Sequence, residues 1–326
     1  MTESKTPAAL HSPLASLIEA FLEDKRSRGY RYRREQQHLL QLDRFLVEMG
    51  HVEVTLPRDI VEGWLARSAH LRPSTHRHRR GLVSQLAAFL ALREYSAYSP
   101  PRPPKTTNGY STARVFSRDE IRRILDAADR LSPQAASPLR HVVMPELFRV
   151  LYGCGLRVGE SVRLTVADVD LAAGILRIRE GKSHRDRLVP VAPKLRQRLE
   201  TYAAQLGPRE PEASFFPSPR GGFYQPQSIY WVFRRLLESA RIAHRGRGQG
   251  PRLHEVRHAF AIHRLERWYR DGEDLNVKLP LLATYMGHRS TAGTQWYLQL
   301  TRALFTDLAS RLERTFGHVI PRETRS

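Results

Sequence analysis

Two short stretches of this 326-residue chain carry side chains whose types and spacing could do chemistry. MGHRSTAGTQWY (286–297) sets a tyrosine nine residues after a histidine, so Tyr297 could be a nucleophile with His288 set to help it. HEVRH (254–258) places His254 and His258 four residues apart, hence on one face of a helix. It matches H-E-x-x-H, the zinc metallopeptidase helix, with Glu273 as a conceivable third ligand. Physics weighs against zinc. Arg257 would stand one residue from a ligand, a fixed cation beside a metal ion. A formal net charge of +20 does nothing for peptide hydrolysis.

That charge points to a different partner. The chain has 53 basic residues against 33 acidic, an excess that implies a polyanion, with nucleic acid ahead of an anionic membrane surface. Only six of the basic residues are Lys, and Arg is the better fork for phosphate oxygens. A single cysteine, Cys154, excludes an intrachain disulfide and a Cys-based zinc cluster. The opening MTESKTPAALHSPLA has no basic segment followed by a long apolar run, and no stretch approaches 18 apolar residues. The expectation is a soluble, cytoplasmic, nucleoid-associated protein without a membrane partner.

HEVRH also reads H-x-x-R-H, and in that form it joins a set. LYGCGLRVGE (151–160) resembles the pattern Y-x-x-G-L-R-x-x-E, and GHRSTAGTQWY resembles a G-H pair followed by a tyrosine nine residues on. Between them, Gly181-Lys182 lies in a β-hairpin, 25 residues after Arg157. Four such features in this order resemble the tyrosine recombinases of the phage integrase family. Two departures stand out. Cys154 sits where many relatives have a small polar residue. The interval from His254 to His288 is 34 residues, longer than in compact members such as the Xer group, with the surplus assigned to the polar stretch 269–276.

The resemblance implies a chemistry. A tyrosine hydroxyl attacks phosphorus and holds the DNA strand as a 3′-phosphotyrosyl ester, which a later 5′-hydroxyl reverses, with no cofactor or metal required. Negative charge grows on the non-bridging oxygens, and two guanidiniums suit it. The resemblance gives those parts to Arg157 and Arg257, a third hydrogen bond to His288, and the nucleophile to Tyr297. Lys182 would protonate the leaving oxygen, although Arg185 or Arg187 could contact DNA from the same hairpin. His254 would handle the Tyr297 proton or hold a phosphate oxygen. Glu160 would orient Arg157, and His258 would support the second box.

These side chains need positioning elements. Residues 1–11 read as a loose arm. Apolar periodicity predicts four helices in a domain spanning 12–95, carrying Leu14 to Leu22, Leu39 to Leu46, Ile60 to Trp64 and Leu82 to Leu90. The fourth opens on HRHRR, and His76, Arg77, Arg79 and Arg80 are its expected phosphate contacts, against the plainer reading of a solvated basic face. Four prolines between 100 and 104 mark an extended linker, 96–112. Ser117 to Glu120 is a capping box opening a second domain, 113–318, followed by a tail, 319–326. There a helix runs through Leu147, Val150 and Leu151, GILRIRE (174–180) and DRLVPVA (186–192) predict a hairpin, and helices follow at about 194–206, 228–241, 254–269 and 303–316. The fold class expected is mainly α with a small β-sheet: a helical core-binding domain plus an α+β catalytic domain.

The working form implied by the resemblance is a homo-tetramer on double-stranded DNA with paired recombination sites, the two domains clamping the duplex, with accessory DNA-bending proteins as further partners. The apolar stripe Leu304, Leu308, Leu312 and Phe316 could dock on a neighbouring protomer or pack in cis. The role expected is site-specific recombination for a mobile element by integration, excision or transposition. Dimer resolution of the Xer kind, relaxation of the type IB topoisomerase kind, and DNA binding without catalysis are the alternatives.

Overall fold

A computed structural model describes residues 9–67, 73–101, 114–179, 186–244, 246, 250–288, 294 and 297, with Ser74 by its backbone alone. The chain divides into two compact units, residues 1–110 and 111–326. The fold class is the expected one, mostly helical with a small three-stranded sheet. Among the described residues, no helix is long and apolar enough to cross a membrane.

The first unit packs α1 (Ala15–Ser27), α2 (Arg33–Glu48), α3 (Arg58–Ala66) and α4 (Pro73–Ala91) around Ile18, Phe21, Leu42, Trp64 and Leu86. These are the helices that periodicity predicts. Asp43 of α2, only 1% exposed, accepts from the backbone N–H groups of His11 and Ser12, both at 2.9 Å. A buried carboxylate thus satisfies donors ahead of α1 that would otherwise be orphaned. Leu10 also packs on this core, so residues 10 and 11 are anchored rather than loose, while 1–8 of the expected arm lie outside the described residues. The beginning of the proline-rich stretch is likewise fastened down. Ala97 bridges Leu56, Tyr98 N–H donates to the Leu56 carbonyl at 2.7 Å, and Arg80 donates to the Pro101 carbonyl at 3.3 Å. Residues 102–112 of the linker lie outside the described set.

In the second unit α5 (Arg118–Asp129) opens on the expected Ser117–Glu120 capping box. Next, α6 (Arg140–Gly153) is buried on most sides, and the short α7 (Val158–Ser161) comes after the Gly155 turn. The sheet runs β1 (Val169–Asp170), β2 (Ile175–Ile178) and β3 (Arg187–Pro190), all antiparallel. Register pairs Leu176 with Val189 and Ile178 with Arg187. Because side chains alternate along a strand, Arg187 shares the face of buried Val189, while Leu188 points out and is 58% exposed. Then come α8 (Pro193–Leu206), α9 (Pro226–Ser239) and α10 (His254–Arg270), within two residues of expectation.

A further helix, α11 (Leu275–Met286), is not foreseen from the sequence. Its internal Pro280 argues against a helix on local grounds, but buried Leu279, Leu282 and Met286 supply the packing that overrides it. The polar stretch 269–276 accordingly shrinks to the turn between α10 and α11, where Asp274 caps α11 by accepting from Asn276 N–H. The helix expected at 303–316 and the tail lie outside the described residues.

Candidate active site

Three segments of the second unit meet at one carboxylate. After α6, the chain turns through Gly155 in the left-handed region, where a Cβ would lie 2.3 Å from the Phe260 ring. Only glycine fits that approach. The turn sets Arg157 just before α7, and Glu160 reaches back to it: the Arg157 backbone N–H and Nη1 donate to Glu160 at 2.9 and 2.7 Å. Arg187 enters from β3 and donates twice more, at 3.1 and 2.9 Å. Arg257, in the first turn of α10, stands 3.9 Å away.

The three arginines also share a second anchor, the C-terminal end of α11. Arg187 Nε donates to the Tyr285 carbonyl (2.9 Å), Arg257 Nη2 to Met286 (2.6 Å) and Arg157 Nη2 to Gly287 (3.3 Å). Arg257 Nη1 donates to the Gly155 carbonyl at 2.7 Å. Carbonyls at a helix C-terminus lack intrahelical donors and form the negative end of its dipole, so cations belong there. Gly287 then ends the helix in the left-handed conformation; a Cβ on it would lie 2.8 Å from Arg187 Nη1.

Beyond that cap lie His288 and Tyr297. His288 Nδ1 pairs with the Thr294 hydroxyl at 2.7 Å, and its ring stacks against that of Tyr297, 6.0 Å between centroids. The Tyr297 hydroxyl is 3.0 Å from His258 Nδ1, and Tyr297 is only 2% exposed. His254 packs edge-on against His258, 4.6 Å between centroids. The motif resemblance pairs the tyrosine proton with His254; the geometry puts His258 on the hydroxyl.

Electrostatics reflect this crowding. Burial alone would push the Glu160 carboxyl up, but the Arg187 and Arg157 hydrogen bonds and charges outweigh it and hold it down at about 2. Arg257 falls to about 10, through burial first and then the Arg157 charge. Burial and then neighbouring cations lower His288 to about 4; burial, His254 and Arg257 lower His258 to about 3. Both imidazoles are therefore neutral at pH 7. Burial raises the Tyr297 phenol, and Arg257 and Arg157 pull it partly back. Three guanidiniums against one carboxylate leave the site net positive, a place for an anion with two or more oxygens.

Seven residues singled out by sequence therefore converge here: Arg157, Glu160, His254, Arg257, His258, His288 and Tyr297. Lys182 and Arg185 lie outside the described residues. Arg187 and Thr294 join the cluster unforeseen. The expectation that Arg187 could contact DNA from the hairpin is corrected, since its side chain is 10% exposed and committed to Glu160. The strand's own alternation, with Arg187 and Val189 on one face, held that signal. Cys154, fully buried at the end of α6, has its thiol pushed up to about 12 by burial and is chemically quiet.

As for zinc, Glu255 accepts from Arg252 N–H and Nε at 3.0 and 3.1 Å, and Glu273 pairs with Lys278 at 3.0 Å. Among the described residues no group of three His, Cys, Asp or Glu side chains is placed to hold a metal ion.

The expected phosphate contacts of α4 divide. Arg80 is held by Glu62 at 3.2 Å, and Arg79 donates to Gln41 and lies over the Trp64 ring, so both serve the packing of their own unit. Arg77 is exposed and His76 is half-buried.

The family model described as Phage integrase family matches residues 114–303. The chain is 31% identical over 313 residues to y4rB of Sinorhizobium fredii, which carries a provisional integrase/recombinase name, covering 93% of this chain and 98% of that one. It is 37% identical over 298 residues to the tyrosine recombinase XerD of Pseudomonas putida, covering 82% and 92%. The long His254–His288 interval therefore does not keep the chain apart from Xer proteins. Among solved structures, a lambda integrase tetramer bound to a Holliday junction matches with a TM-score of 0.59 at 15% identity, over 87% of this chain and 76% of that one, a likeness of fold.

Proposed function

The chain belongs to the phage integrase family of tyrosine recombinases, enzymes that cleave and rejoin DNA, and from that premise we propose that it is a site-specific recombinase serving a mobile element. One observation carries the reading. A buried tyrosine hydroxyl shares a compact site with two histidines and with arginines held on a common carboxylate.

In the proposed reaction the Tyr297 oxygen attacks the scissile phosphorus and the 5′-oxygen leaves, giving a 3′-phosphotyrosyl ester. Arg157, Arg257 and His288 donate to the non-bridging oxygens, and loss of one such donor raises the barrier by about 3–4 kcal/mol. The Tyr297 proton passes to the imidazole pair, with His258 in direct contact and His254 behind it. Binding of an anionic phosphate offsets the arginine charges that keep those imidazoles weakly basic. Lys182 protonates the leaving 5′-oxygen. Attack of another strand's 5′-hydroxyl on the ester reverses every step and releases Tyr297.

Glu160 and Arg187 act through the arginines they hold. The first unit is the core-binding domain, joined by the proline-rich linker to the catalytic domain, and Arg77 and His76 are its phosphate contacts on α4. Four copies act on two paired DNA sites; the matching fold of a tetramer on a Holliday junction supports that assembly. The Xer relatives favour a second reading, resolution of chromosome or plasmid dimers by the same chemistry.

A duplex nicked just beyond the scissile phosphate tests the proposal, because the short product diffuses away and traps the intermediate. Wild type is expected to form a covalent adduct in the presence of chelator, and Tyr297→Phe to bind the duplex and trap nothing. An adduct formed by Tyr297→Phe would overturn the nucleophile; loss of wild-type activity in chelator would overturn metal-free chemistry.

A further inference from the structure

Thr294 is fully buried beside the proposed nucleophile, at 0% exposure. Its hydroxyl has one hydrogen-bond partner among the described residues, His288 Nδ1 at 2.7 Å. Thr294 and Tyr297 both have helical backbone and stand three residues apart, a spacing that puts them on one face. His288 meets both side chains, the hydroxyl at Nδ1 and the Tyr297 ring stacked against its own.

A neutral imidazole carries a single N–H, and the partner of one ring nitrogen decides which nitrogen holds it. His288 is neutral at pH 7, because burial first, and then Arg257, Arg157, Arg187 and His254, hold its pKa at about 4. An imidazole among cations is more stable presenting a lone pair to them than an N–H, so the arginines by themselves do not make His288 a phosphate donor. The hydroxyl changes this balance. A buried O–H with no other acceptor gives its hydrogen to Nδ1 or leaves it unsatisfied, and native structures rarely accept the second. Once Nδ1 accepts that hydrogen it keeps its lone pair, and the ring proton goes to Nε2. No protein group among the described residues accepts from Nε2, so that N–H is kept for a ligand oxygen.

We propose that Thr294 is a positioning residue: its hydroxyl donates to His288 Nδ1 and fixes the imidazole with its hydrogen on Nε2, turned to account by a non-bridging oxygen of the scissile phosphate. The inference rests on the recombinase reading and deepens it. The donor is set before DNA arrives, so no proton has to move between ring nitrogens when the phosphate binds. Because the same helical face carries Thr294 and Tyr297, the phosphate donor and the nucleophile are placed together.

The test uses the full chain labelled at histidine, whose tautomers are read from imidazole nitrogen shifts, with His288→Gln identifying the signal. Wild type at pH 7 is expected to hold the His288 proton on Nε2. Thr294→Val, of similar size without a donor, is expected to lose that preference. It should cleave the nicked duplex roughly 10- to 100-fold more slowly, with duplex affinity within about twofold of wild type. Thr294→Ser keeps the hydroxyl and should restore both tautomer and rate. Since Thr294 acts through His288, adding Thr294→Val to His288→Ala should slow cleavage no further. A wild-type proton on Nδ1 overturns the proposal. So does a Thr294→Val protein that keeps the Nε2 tautomer, cleaves at the wild-type rate, or loses rate additively with His288→Ala. Should Thr294→Val not fold, Thr294→Ala carries the same readouts. The tautomer is read without DNA, so failure of the recombinase reading shows separately, as a wild-type protein that neither binds duplex nor forms the Tyr297 adduct.

Discussion

Glu160 and Arg187 form a two-point ion pair, 3.1 and 2.9 Å, between α7 and β3, with the carboxylate side chain only 2% exposed. The same carboxylate holds Arg157 and neighbours Arg257. One acid therefore sets the position of both guanidiniums proposed to receive the scissile phosphate. Arg187 completes its neutralisation and ties the group to the Tyr285 carbonyl.

Replacing that acid is expected to be severe. Glu160→Gln leaves three arginines facing one another in a buried site, and breaking such a pair costs about 3–5 kcal/mol. Urea unfolding should show the loss, and cleavage of the nicked duplex by whatever folds should fall by roughly the factor of 100 or more that a lost phosphate donor brings. Full stability in Glu160→Gln would mean the arginines do not depend on it.

Arg187→Lys keeps the charge but loses the fork. The expected outcome is a lower rate of adduct formation with duplex affinity within about twofold of wild type, since positioning rather than binding is removed. A matched loss of affinity would instead make Arg187 a direct DNA contact.

At Gly287 two costs add. Alanine must take up a left-handed conformation, about 1–2 kcal/mol, and its Cβ would crowd Arg187, which is not free to swing aside because Glu160 and Tyr285 hold it. Gly287→Ala should unfold at lower urea and cleave more slowly, whereas Gly272→Ala, with nothing within 4 Å of its Cβ, should suffer only from its backbone conformation.

Acid should destabilise the second unit well before its carboxylates titrate. His288 and His258 ordinarily take a proton near 6.5, but burial first, and cationic neighbours next, hold them at about 4 and about 3 in the fold. Between pH 6.5 and 4 the unfolded chain thus binds more protons than the folded one, and stability falls as pH drops through that window. Glu160, held at about 2 against an ordinary 4.5, adds its own loss from pH 4.5 downward. Thermal unfolding across pH 7 to 4.5 should show a falling Tm, and a flatter one in His258→Gln combined with His288→Gln.

On α4, Arg77→Ala should weaken duplex binding and flatten its salt dependence by about one unit of slope. Arg80→Ala should instead lower stability, because it leaves Glu62 with the Tyr98 hydroxyl but no cation and takes a donor from the Pro101 carbonyl. The reverse pattern would exchange their roles.

Much of the fold is legible in residue order, for identifiable reasons. Helices α1 to α6 and α8 to α10 announce themselves through apolar spacing and caps, which are local properties. α11 does not, because Pro280 speaks against a helix locally and only the packing of Leu279, Leu282 and Met286 answers it. The site residues are legible as types at set intervals, but their pairings are not. That His258 touches the Tyr297 hydroxyl depends on how far α10 is rotated, and a four-residue spacing leaves His254 and His258 on the same face. Arg187 is visible only through strand register, which fixes it beside Val189 on the inward face.

The depth of Tyr297 bears on the fate of the strand after the first cut. At 2% exposure Tyr297 is shielded from bulk water, with His258 of α10 on its hydroxyl and the His288 ring stacked against its own. In the proposed reaction an ester formed there meets few solvent molecules, while an incoming DNA end is brought to it by the same arginines that bound the first. Hydrolysis would strand a broken chromosome, and seclusion of the linkage favours repair of the break over its loss.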